Sequence, residues 1–558
     1  MESKELYNVS VDESSADGEQ NNDTKELTFW QKFDKFIQLD SASEGRRSNH
    51  DLDPVPPEER TWKTRHYALF WISDHLSVSG FRSAASLMQV GMSWRLSLAC
   101  IAISNILQGI FIVINGMVGA DYHIPFSIHS RSCFGYYLSY LFICMRMVVG
   151  IFWYAIQVYT GAECVRSMIY AIWPSFHNVA NHIPASQNIT TQFMVAYVIY
   201  FVSCLPFHYV GVQRLKWLFL VKSITTPICA FAILGWIVNE VKKTGIPLTA
   251  AGSTLTGSTL GWTFVGGVNS NTGSGTTLMV NAPDYSRYAR KRTDTYISAF
   301  AIPFTAVIIT VIGVFVARGS EILYGEILWD PLLVIDKWTS HGGRAAAFFC
   351  AFSFYLSQLG LNIAANSLAS ANDMNCLFPR YINIRRGQFI SAIIGSWALT
   401  PWNILSSASG FLNFMGGYSI WLCPIFAILV TDYFFVHKQK INVPELYNFH
   451  GPYQYYKGYN WRAFIAFTVA WVPLLPGFIP VVSGFTSAHA GIANLYRLGF
   501  WFGLFVASLI YYILSRIWPD KATYFEVGIQ MEDLPIHNAA METDVVDSVD
   551  LNESYEKK

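Results

Sequence analysis

Two residue pairs in this chain have the type and spacing to grip a planar polar molecule. Trp153 and Gln157 stand four residues apart, so on a helix they share one face and present a flat ring beside a primary amide. Asn362 and Asn366 repeat that spacing with two carboxamides, within Leu361-Asn-Ile-Ala-Ala-Asn-Ser367. A carboxamide offers a donor pair and an acceptor, which complements an imide or ureide such as a pyrimidine or hydantoin. The same groups can equally be hydrogen-bonded glue between helices. Asp74, His75, Glu163 and Lys222 are the ionisable residues from which a proton site could be assembled, and the sequence does not choose among them. Arg146, seven residues before Trp153, either pairs with an acidic neighbour or reaches toward the membrane boundary.

Membrane helices are the elements able to hold such groups. The chain has 558 residues, of which 52% are hydrophobic, 16% aromatic and 14% charged, with a positive mean hydropathy. A soluble domain has no use for that much apolar surface, so the excess faces a lipid bilayer. Lys plus Arg equal Asp plus Glu at 38 each, leaving no basic field to hold nucleic acid. The cysteines, among them Cys133, Cys164, Cys204 and Cys350, form no CxxC pair and no ligand spacing with His; neither metal nor cofactor is expected.

Apolar runs of about 20 residues begin near Tyr67, Leu96, Tyr136, Phe193, Leu215, Gly261, Ala299, Ala345, Phe389, Phe411, Phe464 and Gly499, which predicts twelve spans. Residues 1–65 read as a cytosolic tail without a cleavable leader, 66–518 as the transmembrane domain and 519–558 as an acidic cytosolic tail. Both tails are too polar to fold alone. The basic segments His129-Ser-Arg131, Gln213-Arg-Leu-Lys216, Arg287-Tyr-Ala-Arg-Lys-Arg292, Arg380-Tyr-Ile-Asn-Ile-Arg-Arg386 and His437-Lys-Gln-Lys440 all fall on the side of the N-terminus, which makes that side cytosolic. The sequon at Asn188-Ile-Thr190 then lies outside, between the third and fourth spans, as a glycosylation site.

A membrane helix must satisfy its own backbone, so a Gly- and Asn-rich interruption survives only where protein or a water-filled cavity covers it. Gly266-Gly-Val-Asn-Ser-Asn-Thr-Gly-Ser-Gly275 interrupts the sixth span in this way, and Ser77-Val-Ser-Gly80 interrupts the first. Broken spans in corresponding positions point to an all-α transporter with a five-plus-five inverted-repeat core and its substrate near the midplane, beside Ser274 and Gly275. Close packing on small residues is the alternative.

Five motifs carry a resemblance. They are Asn49-His-Asp-Leu-Asp-Pro-Val-Pro-Pro-Glu-Glu-Arg-Thr-Trp62, Asn281-Ala-Pro-Asp-Tyr-Ser-Arg-Tyr288, Asn362-Ile-Ala-Ala-Asn366, Tyr381-Ile-Asn-Ile-Arg-Arg-Gly387 and His450-Gly-Pro-Tyr-Gln-Tyr-Tyr-Lys-Gly-Tyr-Asn-Trp-Arg462. In that order they resemble the nucleobase cation symporter family 1, in its fungal Fur-type branch, over about residues 49 to 520. The resemblance implies twelve helices, discontinuous helices 1 and 6, alternating access, and a substrate drawn from uracil, uridine, allantoin, purines, thiamine and nicotinamide riboside. It implies that Trp153 and Gln157 stack on and hydrogen-bond the substrate, and that Asn366 contacts it with Asn362 one turn before. Two positions depart from relatives. Gly275 stands where the bacterial hydantoin transporter has a tryptophan on the other face of its ligand, so the second wall is missing. Gly360 and Leu361 stand where sodium-coupled relatives have two adjacent hydroxyl residues. Sodium needs several oxygen ligands, so proton coupling is expected.

The expected function is proton-coupled uptake of a nucleobase, nucleoside or ureide, at the plasma membrane or, as the alternative, an internal membrane. A vitamin permease for thiamine or nicotinamide riboside is the alternative within transport, and a transporter-like nutrient receptor without net uptake is one from another class. A membrane-embedded enzyme would need a catalytic cluster such as paired His or HExxH, and a channel a filter-like repeated loop; the sequence displays neither.

Overall fold

The computed structural model describes Trp30 and residues 35–39, 48–210, 216–249, 253–483 and 489–533. Helices stand where the apolar runs predict them. The first span is Thr64–His75 and Val78–Gln89, followed by Trp94–Tyr122, Tyr136–Ile172, Thr191–Val210 and Lys216–Thr244 as the second to fifth. The sixth is Gly257–Ser274 continued by Thr276–Val280 and Ala282–Ser286, and the seventh is Ser298–Tyr324. The eighth joins His341–Leu361 to Leu368–Leu377 through a wide π-helical turn, Asn362–Ser367. The ninth is Ile384–Trp397, the tenth runs from Ala408 to Val436 in three pieces, the eleventh from Trp461 to Ser483, and the twelfth is Ala490–Arg497 with Gly499–Ile517. Among the described residues nine helices are long and apolar enough to cross a membrane. The first falls short because it is broken into two helices of 12 residues each, the sixth because its first piece of 18 residues is rich in Gly, Ser, Thr and Asn, and the ninth because it has only 14 residues.

The first break lies at Leu76 and Ser77, where the backbone turns extended and the Ser77 hydroxyl accepts from Gly80 N at 3.4 Å to start the second half. The sixth break is narrower than the sequence suggests. The helix runs unbroken from Gly257 to Ser274, and within the Gly- and Asn-rich stretch the interruption is confined to Gly275. Its other glycines serve close packing: a Cβ on Gly267 would lie 3.0 Å from Leu87 Cδ2, and one on Gly273 2.8 Å from Ser419 Cβ. The most extensive helix contacts join the second span to the seventh and the third to the eighth, which are corresponding members of the two five-helix repeats.

The described parts of the flanks are packed against the membrane domain. Asn49 hydrogen-bonds Asn375 and the Pro379 carbonyl, and Trp62 exchanges backbone bonds with Tyr288 and Arg290. After the twelfth span, Ile529 pairs by its backbone with Ile441 and Val443, and Gln530 donates to the Asp121 carbonyl at 3.0 Å. Thr64, at the start of the first span, gives Asp294 Oδ1 bonds of 2.9 Å and 2.6 Å from its N–H and hydroxyl. Slight burial raises the Asp294 carboxyl, but those bonds outweigh it and hold the group below its ordinary value. Two of the basic positions used for orientation do not stand in an open loop. His129 and Arg131 are buried in the linking helix Phe126–Phe134, where Arg131 donates to the Leu446 carbonyl at 3.1 Å. Gln213, Arg214 and Leu215 lie outside the described residues.

Candidate functional site

Both breaks open onto one cavity of about 150 Å³, room for on the order of ten water molecules or one small ring compound. Its walls come from the first, second, third, sixth, seventh, eighth and tenth spans. Trp153, Gln157, Asn366, Ser274 and Gly275 all line it, so the third, sixth and eighth spans converge as the sequence predicts. The Trp153 indole donates to Tyr418 Oη at 3.0 Å, and that hydroxyl donates to the Ser274 carbonyl at 2.7 Å. This relay holds the ring face in place and satisfies backbone beside the sixth-span break. Gln157 donates to Ser79 Oγ at 3.2 Å, tying the third span to the first.

Asn362 is placed differently from the expectation. It is buried behind Asn366, accepts from its Nδ2 at 3.1 Å, and donates to the Tyr154 carbonyl at 3.5 Å. Its position orients Asn366 and ties the third and eighth spans together, leaving Asn366 as the amide on the cavity. The π-helical turn spans both residues, and such turns are frequent at functional sites.

Gly275 does lack a side-chain wall, but the space is not empty. A Cβ there would lie 2.5 Å from Gln108 Cδ and Oε1, so a tryptophan cannot fit and the second-span glutamine covers that face instead. Gln108 Nε2 donates to the Asn271 carbonyl at 2.5 Å, another helix carbonyl freed near the break. Gln108, Asn105 and Asn271 line the cavity without having been singled out by the sequence. Asn105 and Gln108, three residues apart within an apolar span, carried the signal that could have found them.

The ionisable candidates separate into two groups. Asp74 and His75 line the cavity at the end of the first half-span. Lys222 is buried nearby against Gly360, whose added Cβ would meet its Cδ at 3.0 Å and its Nζ at 3.5 Å, and it lies within electrostatic reach of Asp74. Glu163 is not at the cavity; it is paired with Arg82. Arg146 lines the cavity and resolves the sequence's open alternative by pairing with Asp373 and donating to the Ala369 carbonyl. Between the eighth span and the first break, Ser357 Oγ donates to the Leu76 carbonyl at 2.9 Å. Asn188 is exposed, its Nδ2 donating to Asn403 Oδ1 at 3.0 Å. Among the described residues no group of His, Cys, Asp and Glu could hold a metal ion.

Comparison with known proteins follows the same outline. An uncharacterized permease of Schizosaccharomyces pombe is 37% identical over 530 residues, covering 94% of each chain. The allantoin permease of Saccharomyces cerevisiae is 34% identical over 541 residues, covering 92% of this chain and 84% of its own. Mhp1, a nucleobase-cation-symport-1 family transporter solved closed with bromovinylhydantoin bound, shares the fold at a TM-score of 0.65 and 21% identity, covering 85% of this chain and 97% of its own. The relatives are permeases and transporters, and this protein is an integral membrane transporter rather than an enzyme. Residues 54–503 match the family described as permease for cytosine/purines, uracil, thiamine and allantoin, and the chain belongs to that family.

Proposed function

We propose that the protein takes up a planar imide or ureide, a nucleobase, nucleoside or allantoin-like compound, by proton-coupled alternating access. The observation that carries this is the convergence on one small cavity of a tryptophan face, Trp153, and two carboxamides, Gln157 and Asn366. The ring stacks on Trp153 while its N–H and C=O edge meets the amides, with Gln108 on the other side. Asn366→Ala should leave the protein at the membrane and weaken binding by about 1–3 kcal/mol, or roughly five- to hundredfold. Trp153→Phe should retain part of the affinity that Trp153→Ala loses. Normal affinity and uptake in a well-expressed Asn366→Ala variant would refute the assignment.

Proton coupling is supported by what fills the space between the first break and the eighth span. The Leu76 carbonyl is taken by Ser357, and the bare face of Gly360 by the Lys222 side chain, leaving little oxygen for a sodium ion. Asp74, His75 and Lys222 remain the coupling candidates. Uptake should rise as external pH falls and be indifferent to replacing sodium by choline; strict sodium dependence would sink this part. One observation favours a second reading, a cationic vitamin such as thiamine: the Asp74 carboxylate lies on the cavity wall. An uptake panel of radiolabelled uracil, uridine, allantoin, thiamine and nicotinamide riboside separates the two, and binding without uptake would indicate a receptor. The reading includes plasma-membrane residence, cytosolic ends and a glycosylated Asn188 outside, supported by the exposure of that loop. A tag after Asn188 that proves protected from external protease overturns the orientation.

A further inference from the structure

Arg82, in the second half of the first span, directs one nitrogen, Nη2, at two carboxylates: Glu163 of the third span and Asp330 of the segment joining the seventh and eighth. Its Nη1 donates to Thr160 Oγ1 at 2.8 Å, and the Trp329 ring lies 5.5 Å from its guanidinium. The three ionisable side chains are buried, with residue exposures of 1%, 7% and 2% in the order Arg82, Glu163, Asp330. Carboxylate oxygens converging on one nitrogen lie close to each other, and one guanidinium offsets only one of them. A surplus charge buried in this way is costly, and neighbouring carboxylates relieve it by sharing a proton.

The surrounding groups do not cancel the surplus. Arg166 reaches Asp336 at 3.4 Å and also acts electrostatically on Glu163, so Arg82 and Arg166 together face three carboxylates, Glu163, Asp330 and Asp336; Tyr159 and Cys164 on the third span bring no cation, and His177 stands farther out, facing Asp336. Asp330 also caps the short helix Pro331–Ile335, its Oδ1 accepting from Leu332 N at 3.0 Å, and that helix packs on the first, third, seventh and eighth spans. The adjacent Trp329 meets Phe411, a wall of the cavity, with ring centroids 6.2 Å apart. Residues 325–340, which join the seventh and eighth spans, thus pack beside the cavity at the end that also carries the Asn188 loop, where Arg344 donates to the Ala171 and Ile172 carbonyls.

We propose that Arg82, Glu163 and Asp330 are the outer latch of the transporter, holding the lid 325–340 shut and trapping one proton between the two carboxylates when it closes. The inference rests on the alternating-access reading. When the lid lifts, Asp330 moves with it into water, the carboxylates part, and the shared proton returns to the medium. The closed state thus holds more protons than the open one. Closure is complete in acid and fades as external pH rises, by up to about tenfold in the closed-to-open ratio per pH unit.

Spin labels at Glu326→Cys on the lid and Ser175→Cys beyond the third span, with Cys144 and Cys229 replaced by Ser, read the lid position by double electron–electron resonance. The samples are full-length protein in nanodiscs, and substrate binding measured on each reports that the cavity has folded. The longer, open distance should gain population with rising pH in the otherwise unsubstituted protein. Glu163→Gln keeps a hydrogen-bonding partner for Arg82 and removes the surplus charge, so its lid should stay closed at every pH. Arg82→Gln should populate the open distance throughout. Unchanged pH dependence in a substrate-binding Glu163→Gln variant overturns the proposal, as does a lid that remains shut in Arg82→Gln. Failure of the underlying transport reading looks different: ring compounds then neither bind nor enter even with the latch intact.

Discussion

Two buried arginines stand on either side of the cavity, and they differ in charge balance. On the proposed inner side Arg146 pairs with Asp373, and Asp284 lies within electrostatic reach of both Arg146 and Arg287, so two cations meet two carboxylates. On the proposed outer side Arg82 and Arg166 meet Glu163, Asp330 and Asp336, one carboxylate in excess. The inner partners sit on or beside spans of the core, whereas the outer set recruits two of its members from the lid. A balanced buried set on helices is a brace between spans. An unbalanced set with members on a movable segment is a contact that water and protons can undo.

The largest effect expected from this comparison is at the inner brace. Arg146→Ala leaves Asp373 buried without a cation, and should lower stability by about 3–5 kcal/mol, read as a fall in the melting temperature of the purified protein with loss of uptake. Adding Asp373→Ala should recover much of the stability. Arg82→Ala should destabilise less, by about 1–3 kcal/mol, because the lid can carry Asp330 into solvent; an equal or larger loss would break the comparison.

Neutralising the carboxylates sharpens it. Asp373→Asn removes the direct counter-charge of Arg146 and should cost about 2 kcal/mol. Glu163→Gln removes only a surplus charge and should change stability by less than about 0.5 kcal/mol, or raise it. The same thermal measurement on both variants decides whether the two sides differ as described.

Within the cavity, Gln108→Ala should weaken ring binding roughly fivefold, about 1 kcal/mol, by opening the face beside Gly275 and releasing the Asn271 carbonyl. Saturation binding at equal expression checks it, and unchanged affinity would return Gln108 to a packing role. The smallest effect is expected at Ser357→Ala, about 0.5–1 kcal/mol of stability from losing the bond to the Leu76 carbonyl. Uptake should remain independent of sodium in that variant, since one vacated carbonyl cannot build a sodium site.

The sequence by itself determined the helical membrane architecture, the positions of the spans, the two discontinuous helices and the set Trp153, Gln157, Asn366, Ser274 and Gly275. These were legible because the bilayer leaves few ways to satisfy a backbone, so apolar length, glycine clusters and polar residues inside a span each carry meaning locally. The tertiary structure alone decided which polar residues face the cavity and which face each other. Asn362 and Asn366 are chemically identical one turn apart, and only the packing of Tyr154 against the eighth span turns one inward. Glu163 and Asp74 were equivalent candidates until Arg82 and Asp330, the latter 167 residues beyond Glu163, claimed the first for the latch. Gln108 became a wall only because Gly275 leaves room for it. The packing of the described flanks was illegible for the same reason: segments too polar to fold alone meet partners hundreds of residues away, such as Asn49 with Asn375, and no local pattern records a contact of that range.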